Sequence, residues 1–150
     1  MPTRLVIIGG GPAGNHAASR AAKLGAEVTL IERDTMGGAA HVRDCVPSKA
    51  MIATGGAMSY VGRADGMGLE PLEPTLDLDR LKQRLGAIEH RLHDSLRDLL
   101  DRQGVRIIEG SGRLTGPRSV AVDTAEGTEE VEADAVLVST GSSPRVPAFS

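Results

Sequence analysis

Sulfur chemistry is nearly absent from this chain: of 150 residues, only Cys45 carries a thiol. No intrachain disulfide can form, which fits a reducing compartment and leaves Cys45 as a buried apolar residue, a lone reactive thiol or incidental. Aromatic side chains are as scarce. Tyr60 and Phe149 stand alone and tryptophan is missing, so the stacking platforms that single-stranded nucleic acid needs are not available. A net charge of −3 argues against the clustered basic surface of a phosphate-backbone binder, and no nucleic-acid partner is expected. No apolar run approaches the ~20 residues of a membrane helix, and the N-terminus enters a strand pattern with no signal peptide before it. The expected location is cytoplasmic, with no integral membrane segment. Repeats and low-complexity tracts are lacking too, apart from a Pro- and acid-rich linker, LEPLEPTLD, at Leu69 to Asp77.

What is present is ordinary for a globular domain: 40% apolar and 25% charged residues. A chain of this length can bury roughly 70% of its unfolded surface around one core. Thr3 to Ile8 is a continuous, β-branched apolar run, the mark of a strand covered on both faces in a parallel sheet. Pro12 to Leu24 is Ala-rich and stops at Gly25, which predicts a helix, and Ala26 to Glu32 is the next strand. These three pieces make a βαβ unit. A helix is expected from the Cys45 region to about Arg63, with Gly55 and Gly56 as weak points where it could bend. Leu81, Leu85, Ile88, Leu92, Leu96 and Leu99 recur at three- and four-residue spacing and predict a long amphipathic helix from Leu78 to Gln103. Short strands follow at Val105–Glu109, Gly112–Leu114, Ser119–Asp123 and Glu129–Glu132, and a last buried strand at Ala135–Ser139. The order points to a doubly wound α/β domain with an appended β-meander.

Gly9, Gly11 and Gly14 satisfy GxGxxG directly after a predicted strand and at the opening of a predicted helix. The first allows the tight turn, the second lets a pyrophosphate reach the backbone, and the third lets helix and strand pack closely. The helix N-terminus adds unpaired N–H groups and the positive end of a dipole. Glu32, at the tip of the second strand and about twenty residues on, can accept hydrogen bonds from a ribose diol and would repel a 2′-phosphate. The fingerprint leaves FAD and NAD open.

The stretch Gly37 to Lys49, GGAAHVRDCVPSK, reads as a Gly-Gly loop running into a helix. Asp44 is a plausible N-cap, Pro47 is tolerated in the first turn, and Cys45 would then sit at the positive end of the helix, which favours a thiolate. Lys49 follows one turn later on the same face, while Asp44 opposes a second negative charge. Elsewhere the bland interpretation prevails. His90 and His93 lack a third ligand and read as a solvated helix face; His41 is assigned no role. The leucine stripe reads as core packing, and Met36, Met51, Met58 and Met67 as fillers of apolar gaps.

Four segments in order, GGGPAG at 9–14, Glu32, GGAAHVRDCVPSK at 37–49 and STGSSP at 139–144, resemble the FAD-dependent pyridine nucleotide-disulfide oxidoreductases, which include dihydrolipoamide dehydrogenase and glutathione reductase. The resemblance spans the chain and implies a Rossmann-like FAD-binding domain with a parallel sheet, a meander and a long helix. It implies FAD held by Gly9, Gly11, Pro12, Ala13 and Gly14, by Glu32 and Arg33, and by Gly37 and Gly38. Thr140, Gly141 and Ser142 would close on the flavin side, and Gly112 would approach the adenine. Cys45 takes the position of the thiol nearest the isoalloxazine ring, and Lys49 that of the lysine near flavin N5. In the family the third segment normally reads GG-x-C-x4-C-x-P-S-K, and the first of those cysteine positions is Ala40 here.

That substitution is similar to a branch without the redox disulfide, the NAD(P)H–quinone reductases, which implies hydride from NAD(P)H to FAD and onward to a quinone-type acceptor. Alternatives are a soluble pyridine nucleotide transhydrogenase, a dihydrolipoamide dehydrogenase-like disulfide reductase, or a nucleotide-binding module without catalysis. Family members continue past the position of Ser150 into a nicotinamide-binding domain, the rest of the FAD site and a dimerisation domain. The 150 residues are therefore expected to be the N-terminal FAD-binding part of a homodimeric enzyme, inactive alone.

Overall fold

The computed structural model describes residues 1–42, 44–70, 73–143 and 145–148. Leu69 to Asp77 lies partly outside them, as do Arg43, Pro144 and Phe149. Strand β1 (Arg4–Ile8) leads through helix α1 (Pro12–Lys23) to β2 (Glu27–Glu32), the crossover that the apolar run, the Ala-rich helix and Gly25 predict. Short helix α2 (Gly38–Val42), α3 (Cys45–Val61) and α4 (Leu78–Arg102) precede β3 (Arg106–Glu109). A meander, β4 (Ser111–Gly116), β5 (Ser119–Thr124) and β6 (Gly127–Glu132), then returns the chain to β7 (Ala135–Val138).

The parallel sheet has the order β3-β2-β1-β7, and the meander forms a separate antiparallel sheet, β4-β5-β6. Ile8 faces Ile31 on one side and Val138 on the other. The three strands therefore end level, and Gly9, Glu32 and Ser139 emerge side by side. From β1 the chain winds out to β2 on one flank, while β7 arrives on the other. This places a topological switch point, where open parallel sheets bind ligands, at the carboxyl ends of β1 and β7.

Alternation along the strands divides the core. Val6, Ile8, Ile31 and Ile108 face the meander residues Val120, Val122 and Val131. Ile7, Val28 and Leu30 face Ala18 of α1 and Leu100 of α4. Burying each such side chain contributes roughly 1.5–3 kcal/mol relative to exposure. The second face is thus covered by the meander, where a doubly wound domain would place helices; β-branched meander residues supply the apolar surface instead.

Of the leucine stripe on α4, Leu81 is buried and Leu85, Ile88, Leu92 and Leu96 are half-buried, Leu96 against the core, while Leu99 is exposed and Leu100, outside the stripe, takes the buried core position. Its N-terminus is capped by Asp77, whose Oδ1 accepts the N–H groups of Asp79 and Arg80 at 3.1 and 3.0 Å. Gly55 and Gly56 do not interrupt α3, and no residue of α3 is buried. Of the methionines expected in apolar gaps, Met36 is buried and Met58 half-buried, whereas Met51 and Met67 are exposed. Among the described residues no helix is long and apolar enough to cross a membrane.

Candidate functional site

Gly9, at φ +108°, makes the turn out of β1, a left-handed conformation that favours glycine. Behind it, Gly14 presses α1 onto the turn so closely that a Cβ would collide with the Gly9 carbonyl and come within 2.9 Å of Ser139 Oγ. Gly11 differs. A Cβ there would meet nothing within 4 Å, so its backbone faces open space. Gly11 is the N-cap of α1 and supplies no side-chain cap, and the first turn holds no acidic residue. By helix geometry the N–H groups of Ala13 and Gly14 then have no intrahelical acceptor.

Between these residues the Gly10 peptide is held from both sides. Its N–H donates to Glu32 Oε2 at 2.6 Å, and its carbonyl accepts from Asn15 Nδ2 at 2.7 Å and from the N–H of Gly37 at 2.8 Å. The other Glu32 oxygen accepts the Asp34 N–H at 2.8 Å. Glu32 therefore braces the loop as well as standing at the rim where a diol could reach it; a carboxylate accepts several hydrogen bonds, so the two uses are compatible. Ser139 Oγ donates to the Gly9 carbonyl at 2.9 Å and ties the end of β7 to the same turn.

Two adjoining cavities of about 470 and 310 Å³ lie along the strand ends. The larger is lined by Gly9, Gly11, Pro12, Ala13, Glu32, Arg33, Gly38, Thr140, Gly141 and Ser142, all foreseen from sequence, and also by Asp34, Thr35, Ala39, Ala40, Val42, Asp44, Ser139 and Ser143. The smaller shares Glu32, Arg33 and Thr140 and adds Gly112, where a Cβ would lie 3.2 Å from Ile8 and 3.3 Å from Ile31. Gly14 and Gly37 stand behind the wall. Gly37, at φ +97°, packs against the ring of His41.

Cys45 and Lys49 are both exposed on α3 and line neither cavity. Asp44 occupies the N-cap position of α3 without making a side-chain cap, because its backbone departs from the extended form at φ −108°, ψ −87°. The Gly37–Lys49 stretch is not all loop, since α2 fills Gly38–Val42. His93 corrects the expectation of a solvated histidine pair: His90 is exposed, but His93 is half-buried and its Nδ1 accepts the Met36 N–H at 3.2 Å. Among the described residues no three His, Cys, Asp or Glu side chains are grouped to hold a metal.

Asn15 was given no role from the sequence, and neither was Ser139, although it opens the STGSSP segment. A lone amide among the alanines of α1 was the available signal for Asn15; a serine in a Ser-Thr-Gly run gives none.

A glycine turn at the switch point, an uncapped helix N-terminus and an acid at the next strand end could together hold an anion and a diol, and the open face of Gly11 leaves room for the close approach of a pyrophosphate. Residues 3–150 match the family of pyridine nucleotide-disulphide oxidoreductases. The chain belongs to this family. It is 40% identical, over 97% of its length, to an NAD(P)H dehydrogenase (quinone) of Mycobacterium tuberculosis, and covers 32% of that protein. It is 35% identical to a dihydrolipoyl dehydrogenase of Zymomonas mobilis, over 94% of this chain and 30% of the relative. Among solved structures, LpdA from Mycobacterium tuberculosis superposes with a TM-score of 0.85 at 36% identity, over 97% of this chain and 33% of LpdA. The flavoprotein disulfide reductase RclA from Escherichia coli shares the fold, with a TM-score of 0.81 at 24% identity over 99% of this chain and 30% of RclA. The chain spans about a third of the length of the curated relatives it matches.

Proposed function

We propose that this chain is the N-terminal FAD-binding part of an NAD(P)H-dependent oxidoreductase that reduces a quinone-type acceptor without dithiol exchange at this site. Ala40 carries the proposal. It stands in the cavity wall at the position where the family pattern has the partner thiol, and Cys45 is the chain's only cysteine. A redox dithiol relay needs two sulfurs.

In this reading the backbone of Gly11 and the free N–H groups of Ala13 and Gly14 receive the pyrophosphate. Glu32 accepts from the ribose diol of the adenosine half, with Arg33 beside it, and Gly112 borders the adenine end. Thr140, Gly141 and Ser142 close the opposite lip, with Gly38 packed against Gly11, where a Cβ would lie 3.1 Å from the Gly11 Cα. When bound, FAD supplies the two-electron chemistry that accepts hydride from NAD(P)H and returns electrons to the acceptor. Cys45 and Lys49 are assigned to the flavin's reactive end, where an ammonium would favour added negative charge. The remaining two-thirds of a full-length protein would bring the nicotinamide site and a homodimer contact.

A second reading, a dihydrolipoyl dehydrogenase-like disulfide reductase, is favoured by the relatives of that name and needs a thiol from outside this chain. The full-length protein distinguishes them. A yellow preparation whose flavin band is bleached by NADH and restored by menadione supports the quinone reading; turnover of lipoamide or glutathione disulfide overturns it. Changing Cys45→Ser should leave bleaching by NADH intact, and its loss would give the sulfur a larger part than assigned here.

A further inference from the structure

The turn after β2 is held by four backbone N–H groups with separate acceptors. Asp34 donates to Glu32 Oε1, Gly37 to the Gly10 carbonyl at 2.8 Å and Gly38 to the Thr35 carbonyl at 2.9 Å. These partners belong to the turn, to the end of β2 beside it, or to the phosphate loop. The fourth acceptor is remote: Met36 donates at 3.2 Å to His93 Nδ1 on α4, a residue 57 positions away. The Met36 side chain is 1% exposed, packed in the cluster that contains Leu30 and Leu100. Its sulfur would lie 3.0 Å from a Cβ on Gly10. Met36 is therefore a wedge between the long helix and the phosphate loop, fixed at its backbone by one imidazole.

We propose that His93 is a positioning residue for the dinucleotide site. By accepting the Met36 N–H it sets the Met36–Gly38 turn, and through the bond from Gly37 to Gly10 it sets the loop that receives the pyrophosphate. The inference rests on the FAD-binding function proposed above. To accept at Nδ1, the imidazole carries its hydrogen on Nε2. An aliphatic side chain would leave the Met36 N–H unsatisfied in a partly buried turn, whereas asparagine presents an acceptor at nearly the same reach.

The test compares His93→Leu and His93→Asn in the full-length protein. Flavin-fluorescence titration of the apoprotein gives FAD affinity, and hydrogen–deuterium exchange of residues 33–38 is followed without ligand. His93→Leu should weaken FAD binding roughly tenfold and speed exchange at Met36 and Gly37, and His93→Asn should restore both. Wild-type values for His93→Leu in both measurements, or an asparagine variant that behaves like the leucine one, would overturn the inference. If the wild type takes up no FAD, the functional reading fails while the exchange comparison still decides the role of His93. If His93→Leu does not fold, ¹⁵N-imidazole NMR of the wild type decides, with His93 assigned by its loss in His93→Asn: the Nε2–H tautomer supports the proposal and the Nδ1–H tautomer overturns it.

Discussion

The phosphate loop and helix α3 carry the two motifs that drew attention in this sequence, and the fold treats them in opposite ways. The backbone of the loop is fixed by the side chains of Glu32 on β2, Asn15 on α1 and Ser139 just after β7, and by the N–H of Gly37. Helix α3 has no buried residue, and Ile52 is 73% exposed. A site made of backbone is specified by where glycines are required, whereas a site made of side chains on an exposed helix has its orientation set by whatever that helix meets. The two halves should respond differently to substitution.

The largest effect is expected inside the loop. Gly14→Val places a branched side chain where even a Cβ collides with Gly9, and should cost about 3 kcal/mol or more in denaturant unfolding, with loss of FAD retention. Gly11→Ala, three residues earlier, sharpens the contrast. Its Cβ enters open space, so stability should stay within about 0.5 kcal/mol while FAD affinity falls at least roughly tenfold, read by flavin titration. In α3 the sign reverses: Gly56→Ala meets nothing within 4 Å and should raise stability by about 0.5–1 kcal/mol, read as a higher unfolding midpoint. A destabilised Gly56→Ala protein would mean that this face of α3 is covered.

The smallest effect lies at the far end of β1. The carboxyl of Asp134 is held below its ordinary value of 3.8 by the Arg4 backbone N–H and then by the Arg4 guanidinium. A carboxylate whose folded-state pKa is depressed adds stability that is present above its unfolded value and fades as pH falls through the folded one. The acid limb of a stability–pH curve should therefore be slightly shallower in Asp134→Asn, and an unchanged limb would show the exposed pair to be without net effect.

Legibility followed the range of the interactions. β1, α1 and β2 were readable because an apolar run, a helix-forming stretch and Gly25 each act locally, and α4 because its period repeats over many turns. In the cavity wall, Gly9, Gly11 and Glu32 were legible in the GxGxxG spacing and the acid after it, whereas Arg33, Gly38, Thr140, Gly141 and Ser142 came only from the family resemblance. Helix α2 was not readable, since one short turn beginning at Gly38 has no periodicity to detect. The bond between His93 and Met36 joins residues far apart in sequence, which no window across either one contains. Likewise, the exposure of Cys45 depends on what covers α3, and the residues of the motif do not encode that.

The N–H and the carbonyl of Gly10 are both engaged within the chain itself. A loop so braced would need little ordering to receive the nucleotide proposed for it, so capture should run at the pace of diffusive encounter. Discrimination among nucleotides would then be written in how long each one stays.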